Sequence, residues 1–298
     1  GHFGQVIAER LEELGLQAGR IGVTASDRTG PEYMGVTCYR ELTEALPQAT
    51  FVFLPTLFHE LTYLKSAEEI EAMAKAGELV VKSLQAIIAV ARPGVREYQL
   101  EAAATHAIMN EGGRVHFMII GSTSMRDPKM IFPHPRPSHR VLQKGDIILT
   151  EMVAAYKGYT AKVGHPVTIG PPTPEVDAFF KKVVVPGFKA IQAELRPGKT
   201  LEDVRRAGAH FRQQGAQSRP IITHGLDLIT APPYVSVDEV RGQPFEMNIV
   251  PGMTFSIEIT PVNAEGTFGM FFARSFAMTE NGQRELAPFP VDEIAVAG

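Results

Sequence analysis

Two glutamates that could act together in catalysis stand at the ends of two similar apolar runs. Glu151 lies six residues after Gly145, and Glu258 lies six residues after Gly252. If each glycine makes a turn and each run is a strand, side chains two, four and six residues later point to one face of a sheet. The two carboxylates should therefore emerge on equivalent faces of equivalent strands. This pair predicts the active centre of a hydrolase-type fold.

Two histidines lie in backbone settings that suit a catalytic or binding role. His134 stands between Pro133 and Pro135, and a proline fixes its own φ and restricts the residue before it. An imidazole held in one orientation can take a proton from water and return it to a leaving nitrogen. His224 ends an apolar run next to Gly225, which allows close backbone access. The alternatives are a surface-loop histidine at 134 and a structural histidine bonded to the backbone at 224.

The elements that must position these residues begin with a long helix. Ser66 and Glu69 form a capping-box pattern, and apolar residues then repeat at helical spacing until Pro93 stops them. A second helix is predicted from about Tyr98 to Asn110. The two glutamate runs and the run that ends at His224 are predicted to be strands.

An internal repeat relates the two halves of this region. The triplet Arg92-Pro93-Gly94 recurs 104 positions later as Arg196-Pro197-Gly198, and the two glutamates are 107 positions apart. Residues 66–170 and 174–280 therefore resemble two copies of one unit, each with a long helix, a turn, a second helix and strands. A duplicated α+β domain of this kind would place the two glutamates across a pseudo-twofold axis. The alternative is a coincidence between two helix-turn-helix segments.

The first 62 residues predict a separate, smaller domain. Their pattern gives a helix, a strand, a helix and a strand in that order, at 6–16, 19–23, 39–46 and 49–54. Strand, helix, strand over so short a stretch is half of an α/β domain. We therefore expect a partial N-terminal α/β domain at residues 1–62, in a chain that begins inside this domain, and a larger domain at residues 63–298.

Composition excludes several classes of function. The formal net charge of −4 and the pI of about 6.2 leave no basic field for a nucleic acid. The longest apolar stretches, such as Leu79 to Ala91, are shorter than the roughly 20 residues that a bilayer-spanning helix needs. Cys38 is the single cysteine, which excludes an intrachain disulfide, a thiolate zinc site and an iron–sulfur cluster. We expect a cytoplasmic protein that binds neither nucleic acid nor a membrane.

The motifs, taken in order, resemble the creatinase/aminopeptidase or pita-bread family. The resemblance runs from about Ser66 to the C-terminus, and it implies an α+β pita-bread fold with an internal pseudo-twofold repeat. Residues 1–62 are similar to the end of the smaller N-terminal domain of prolidase and creatinase. The motifs are Lys65–Ile70, Pro133-His134, Val141–Asp146, Gly158–Ala161, Thr223–Gly225, Pro251–Glu258 and Thr279–Gly282.

Departures from the family pattern affect the metal ligands. Peptidases of this family hold two divalent metals with two aspartates, one histidine and two glutamates. The matching positions here are Glu151, Lys162, His224, Glu258 and Ala273. A protonated lysine offers no lone pair and repels a nearby cation. We therefore expect no dimetal centre and no other cofactor, with the Lys162 ammonium paired to one of the glutamates. The alternative is a lysine exposed on a strand face.

Creatinase, which hydrolyses a C–N bond without metal, provides the most similar pattern. Its reacting histidine matches His134, its late glutamate matches Glu258, and a further histidine matches His224. Its other glutamate falls on Gly164, so this role is unfilled unless Glu151 takes it. Creatine itself is therefore not predicted as the substrate.

The preferred hypothesis is a metal-independent hydrolase of a small C–N substrate, such as an amidino, amide or N-acyl compound. His134 would act as general base and then as general acid, while Glu258 and Glu151 position it and the water. The remaining predicted site residues would bind substrate or balance charge, and they are His224, His165, Arg274 and Lys162.

Two other hypotheses remain open. The chain could be a catalytically inactive relative of the Xaa-Pro peptidases that binds a ligand or a partner protein. It could also hold a single metal ion between His224, Glu258 and one of His134 or His165. The expected partners are a small-molecule substrate and, because relatives commonly pair, a second copy of the chain in a homodimer.

Overall fold

The computed structural model describes residues 2–24, 34–54, 56–134, 136–228, 230–238 and 246–298. It divides into two compact units, Gly1–Tyr63 and Leu64–Gly298. Pro135, the second of the two prolines that flank His134, lies outside the described residues. Within the described ranges, no helix is long and apolar enough to span a membrane.

The first unit is a small α/β arrangement. Its two strands pair in parallel, as the strand, helix, strand order predicts. Ala8, Leu42 and Leu46 form its buried core between the helices and this strand pair. Its elements are α1 (Phe3–Glu13), β1 (Arg20–Val23), α2 (Val36–Ala45), β2 (Thr50–Phe53) and α3 (Leu57–Thr62).

The helices of the second unit come in two similar groups. In the first group, Ser66 caps the long helix that begins at Ala67, through a capping box with Glu69. In the second group, Thr200 caps the helix that begins at Leu201, through a capping box with Asp203. A π-helical segment, Phe180–Val184, joins two helices of the second group. The helices are α4 (Ala67–Val90), α5 (Glu97–Met109), α6 (Pro174–Phe179), α7 (Val185–Glu194), α8 (Leu201–Ala207) and α9 (Ala209–Gln213).

Ten strands of the described part of the chain form one large sheet. Their order is β14-β6-β4-β5-β12-β10-β8-β9, with β3 paired to β4 and β13 paired to β12. The short strands β7 and β11 pair separately. The strands are β3 (Arg114–Ser124), β4 (Asp146–Tyr156), β5 (Tyr159–Gly164), β6 (Val167–Ile169), β7 (Gln217–Ser218), β8 (Ile221–Leu226), β9 (Thr230–Ser236), β10 (Thr254–Ile259), β11 (Pro261–Val262), β12 (Phe272–Thr279), β13 (Gly282–Glu285) and β14 (Ala295–Ala297).

The sheet order confirms the predicted internal repeat. β5 and β12 pair at the centre, β4 and β10 flank them, and β3 and β8 follow outside. Each half therefore supplies three equivalent strands and one group of helices. Gly94 and Gly198, the turn glycines of the repeated triplet, both adopt a positive φ, of 94° and 85°. This left-handed conformation explains why both positions carry glycine.

Helices cover the sheet face opposite to the two glutamates. Met152, next to Glu151, packs into one core with α4 and α5. Ile257, next to Glu258, packs into another core with α7 and α8. Because neighbouring residues of a strand point to opposite faces, both glutamates point away from these helices. We call the face that carries Glu151 and Glu258 the site face.

Candidate active site

Four titratable side chains meet on the site face, and strand register brings them together. Lys162 of β5 pairs with the residue two positions after Glu151 of β4. His224 of β8 pairs with the residue two positions before Glu258 of β10. Side chains two positions apart share a face, so all four lie on one side of the sheet. We call these four residues the Lys162 cluster.

The Lys162 ammonium lies at the centre of this cluster. Its Nζ is 2.9 Å from Oε1 of Glu151 and 3.2 Å from Nε2 of His224, and it also donates to Oε2 of Glu258. The lysine side chain is only 2% exposed. The ring of Phe117 covers it, with its centroid 5.5 Å from Nζ. The expected ion pair of Lys162 is therefore made with both carboxylates.

The two carboxyl groups of the cluster have opposite pKa shifts. Burial disfavours both carboxylates. For Glu258, the attraction of Lys162 and His224 outweighs burial and holds its pKa below the ordinary value. For Glu151, burial and the negative charge of Glu258 outweigh Lys162 and raise its pKa. Glu258 is therefore the permanent carboxylate, and Glu151 is the group that accepts a proton more readily.

Lys162 remains charged despite its burial. Loss of water would lower its pKa, but attraction to Glu258 and Glu151 outweighs this effect and raises the pKa above the ordinary value. The cluster therefore contains one fixed positive charge between two carboxyl groups.

His224 presents one nitrogen to the rest of the cluster. Its Nδ1 is 2.6 Å from the carbonyl oxygen of Gly225, and since a carbonyl only accepts, we assign the proton to Nδ1. Its Nε2 lies 3.0 Å from Oε2 of Glu258 and 3.2 Å from Nζ of Lys162. When Nε2 carries a proton, it donates a hydrogen bond to the carboxylate of Glu258. When it carries a lone pair, it accepts a hydrogen bond from the ammonium of Lys162. Nε2 is therefore the atom through which His224 can exchange a proton with its neighbours.

These residues do not fit a two-metal centre. The Lys162 ammonium lies between the two carboxylates and has no lone pair to offer a metal ion. Ala273, opposite Glu258 in the sheet, has no donor atom in its side chain. In the part of the chain that the structure describes, no group of three or more His, Cys, Asp or Glu side chains is placed to hold a metal.

His134 lies over the site face but outside the Lys162 cluster. Its loop passes close to Gly121 of β3, where an added Cβ would lie 2.9 Å from the His134 backbone nitrogen and 3.0 Å from Cδ2. Gly121 is two residues from Ile119, which pairs with Glu151. The exposed His134 ring makes no hydrogen bond to any described residue, so both of its nitrogens are free to meet a ligand.

His165 and Arg274 lie on the opposite face of the sheet. Gly164 and Ala273 are paired on the site face, and the next residue of each strand points the other way. Nη2 of Arg274 is 3.0 Å from Nδ1 of His165, and Nη1 donates to the carbonyl oxygens of Gly164 and Ala273. The prediction that these two residues bind substrate finds no support in their positions.

The environment of this second pair is that of a buried structural cluster. Nε2 of His165 donates to the carbonyl oxygen of Glu293 at 3.0 Å, and Arg274 donates to that of Pro290 at 3.2 Å. Burial, together with the charge of Arg274, lowers the pKa of His165 well below its usual range. Burial also lowers the pKa of Arg274 to about 10. The pair holds the segment before β14 against the sheet, and its location also removes His165 from the mononuclear metal hypothesis.

Three further residues lie near the cluster. The backbone nitrogen of Lys162 donates to Oγ of Ser275 at 2.8 Å, and this hydroxyl donates back to the Lys162 carbonyl oxygen. His116 lies at a register shift in β3, and burial and the charge of Lys162 lower its pKa. Phe271 places its ring against Gly164, where it fills the space that a side chain at 164 would need.

Comparisons with known proteins agree with this architecture. The model of metallopeptidase family M24 matches residues 71–280. An uncharacterized peptidase, YqhT of Bacillus subtilis, is 23% identical over 300 residues, which cover 99% of this chain and 79% of the relative. A probable dipeptidase, PepE of Mycobacterium tuberculosis, is 28% identical over 251 residues, or 82% of this chain. That match spans 64% of the length of PepE.

Solved structures share the fold. The X-Pro aminopeptidase of Thermotoga maritima superposes with a TM-score of 0.81 at 21% identity, over 100% of this chain and 80% of that structure. The dipeptidase PepE of Mycobacterium ulcerans gives a TM-score of 0.79 at 28% identity, over 99% of this chain and 74% of that structure. The α+β pita-bread fold expected from the sequence motifs is thereby confirmed.

Proposed function

Because the chain belongs to metallopeptidase family M24, we propose that it is a hydrolase that cleaves a C–N bond of a small substrate without a metal ion. Membership in this family indicates the class of reaction, which is hydrolysis of a peptide-type C–N bond. One observation supports metal independence: the Lys162 ammonium lies between Glu151 and Glu258, in the place where divalent cations would have to bind. The positive charge of the site is then part of the protein.

The carboxylates retain atoms that can contact a substrate. Each uses one oxygen for Lys162, and the other oxygen accepts no hydrogen bond from the described residues. The side chain of Glu151 is 8% exposed and that of Glu258 is 16% exposed, so solvent reaches the cluster mainly at Glu258. A free carboxylate oxygen can accept a hydrogen bond from a water or from a substrate N–H group. This chemistry suits amide, N-acyl and amidino compounds.

The proton steps then fall to groups around the cluster. Hydrolysis needs a base for the attacking water and an acid for the leaving nitrogen. We assign both tasks to His134, whose ring has no other partner among the described residues. Glu258 stays ionised and orients the water with His224, while Glu151, with its raised pKa, buffers the charge of the cluster. Small dipeptides belong among the candidate substrates because PepE, a relative, is named a probable dipeptidase.

Chelation provides the direct test of this proposal. We expect the purified protein to hydrolyse at least one member of a panel of dipeptides, N-acyl amino acids, amides and amidines. Its kcat/KM should be unchanged after exhaustive chelation, since no step requires a metal ion. Elemental analysis of the same sample is the control. Activity that disappears on chelation and returns with manganese, zinc or cobalt would contradict the mechanism.

An inactive ligand-binding protein is the second candidate. It is favoured by one observation, that all three donors of Lys162 are engaged within the cluster. His134→Ala separates the two readings. The hydrolase requires a loss of kcat of about 100-fold or more, which is the usual size of a general acid–base contribution. Unchanged turnover and unchanged ligand affinity would support the inactive protein.

A further inference from the structure

One cavity of the second unit lies apart from the Lys162 cluster. It is situated between α8, α9, β7 and the residues that follow β9, and its volume is about 470 Å³. Sites for small molecules have volumes of about 300–1,000 Å³. A Cβ added to Gly208, which lines the cavity, would lie 2.9 Å from Cδ1 of Ile222, a residue of the core that packs under α8. The cavity is therefore on the side of the sheet opposite to the site face.

Three arginines line this cavity, which we call the arginine cavity. Arg205 and Arg206 belong to α8, and Arg212 belongs to α9. A guanidinium presents a planar fork of N–H donors that matches the oxygens of phosphates and carboxylates. The lining also contains small and apolar residues, among them Ala209, Phe211, Ala216 and Val237. The arginine cavity therefore combines groups that bind anions with an apolar surface.

Glu202 engages only some of the donors of these arginines. It accepts from Nε and Nη2 of Arg205 at 2.6 and 2.7 Å, and from Nε of Arg206 at 2.8 Å. Both of its oxygens are thus in use, and the hydrogen bonds from Arg205 and Arg206 hold its pKa at about 2. The two terminal nitrogens of Arg206 donate to no described residue. The pair with Glu202 orders the Arg206 side chain and leaves these nitrogens for a ligand.

Arg212 uses a single donor within the protein. Its Nη2 donates to Oδ1 of Asp238 at 2.7 Å, and its Nε and Nη1 donate to no described residue. The side chains of this pair are 78% and 68% exposed, and exposed ion pairs contribute little stability. An anion that enters the cavity can therefore replace Asp238 as the partner of Arg212.

The donors of Arg206 and Arg212 fit a phosphate better than a carboxylate. The two oxygens of a carboxylate can be satisfied by a single guanidinium. A phosphate monoester has three acceptor oxygens and a charge of about −1.5 to −2 at neutral pH, so it can engage both arginines together. A phosphate group fills only part of the cavity, and the apolar lining can contact the organic group attached to it. A long polyanion is disfavoured because the chain has a net charge of −4.

We propose that the arginine cavity binds a small phosphate monoester, with Arg206 and Arg212 on the phosphate and the apolar lining on its organic group. This binding site is independent of the proposed hydrolase function, because the lining of the cavity includes no residue of the Lys162 cluster. Failure of the hydrolase assignment would leave it unaffected, and its own test is a measurement of binding.

Phenyl phosphate is the probe for this site. Titration calorimetry of the whole chain, at about pH 7.5 and about 0.15 M ionic strength, compares it with benzoate, phenol and inorganic phosphate. We expect phenyl phosphate to bind at least about 10-fold more tightly than each of the others, because it alone offers both the phosphate charge and the ring. Equal affinity for benzoate, or no binding of phenyl phosphate up to about 10 mM, would overturn the inference.

Substitutions of charged residues locate the site. Arg206→Met and Arg212→Met should each weaken binding of phenyl phosphate about 10-fold, because each removes charge-assisted hydrogen bonds. Asp238→Asn should strengthen binding, because it removes the carboxylate that competes for Arg212. The matched control is Arg196→Met, which should leave the affinity unchanged. Arg196 is exposed, lies outside the lining, and donates from Nε to the Ala193 carbonyl oxygen.

A change in the wall of the cavity separates the organic group from the phosphate. Ala209→Phe narrows the cavity but keeps Arg206 and Arg212, so it should weaken phenyl phosphate and leave inorganic phosphate unchanged. The side chains of Arg206 and Arg212 are 70% and 78% exposed, so we expect their variants to fold, and urea denaturation checks this. If the folded variants bind phenyl phosphate as tightly as Arg196→Met does, the proposed site is wrong.

Discussion

Lys162 carries its ammonium into a position with almost no solvent, between two carboxyl groups that would otherwise repel each other. The attraction exceeds the cost of burial, since the pKa of Lys162 is raised. Glu151, Glu258 and His224 each contact this one atom. The geometry of the site therefore depends on a single cation at residue 162.

Removal of this cation should destabilise the protein. Lys162→Met keeps most of the side-chain volume but leaves Glu151 and Glu258 buried without compensating charge. We expect the free energy of unfolding at pH 7 to fall by about 3–5 kcal/mol, as measured by urea denaturation. Lys189→Met, which breaks an exposed pair with Asp292, is the control and should cost about 1 kcal/mol or less.

The size of this loss should depend on pH. Because the pKa of Glu151 is already raised, this carboxyl group takes up a proton as the pH is lowered towards the carboxyl range. Its repulsion with Glu258 then disappears, so Lys162→Met should cost less at pH 5 than at pH 7. An equal loss at both values would contradict the assigned arrangement of charges.

Glu258 should contribute to acid unfolding in a defined direction. Its folded pKa is held below the ordinary value of 4.5, because Lys162 and His224 outweigh burial. The stability from this group is complete above pH 4.5 and is lost as the pH falls through the lowered pKa, by up to about 1.4 kcal/mol per pH unit. Glu258→Gln lacks this titration. The difference in unfolding free energy between wild type and variant should therefore narrow below pH 4.5, and a constant difference from pH 6 to pH 3 would exclude Glu258 as the titrating group.

At the scale of elements, a buried carboxylate links α5, β3 and the segment after His134. Glu97, in the first turn of α5, accepts hydrogen bonds from the backbone nitrogens and hydroxyls of Ser122 and Ser138. Burial disfavours the charged form, but these hydrogen bonds outweigh it and lower the pKa of Glu97. Ser122 follows Gly121, against which His134 packs. By binding Ser122 and Ser138, Glu97 anchors the two chain segments that meet at the contact between Gly121 and His134. Glu97 is therefore a positioning residue for His134.

Glu97→Gln should loosen this region without abolishing the fold. The amide supplies N–H groups where all four partners donate, so at least one buried donor loses its acceptor. We expect a loss of about 1–3 kcal/mol in the free energy of unfolding. Hydrogen exchange should become faster in peptides covering His134 and Ser138 but not in those from α4. Glu101→Gln, one turn further along α5, has no described hydrogen-bond partner and serves as the control; equal effects of both variants would contradict the anchoring role.

At the scale of the whole molecule, duplication explains how a cluster of titratable side chains arises at the centre of a sheet. The two copies meet at the β5–β12 pair, so equivalent strands β4 and β10 bring their glutamates towards the same centre from opposite sides. Divergence between the copies then decides which side chains meet at this centre. The first copy supplies Lys162 at this centre, whereas the second supplies Ala273.

The sequence by itself determined the fold and the pair of glutamates on one face of the sheet. Capping boxes, turn glycines and strand alternation act over a few residues, and they predict the helices, the repeat and the shared face of Glu151 and Glu258. The order of the motifs predicts the pita-bread architecture. Lys162 was identified only through the resemblance to the family, as the residue at a metal-ligand position, and its burial between the two glutamates is seen only in the structure.

Only the tertiary structure decided which neighbouring residues belong to the site. His165 directly follows Gly164 and Arg274 directly follows Ala273, two residues of the site face. Because successive residues of a strand point to opposite faces, both side chains lie in a buried cluster on the other side of the sheet. Phe132 contacts both Phe271 and Arg219 although the three residues are far apart in the chain. Contacts of this kind depend on how strands and loops pack across the sheet, and a local pattern carries no information about them.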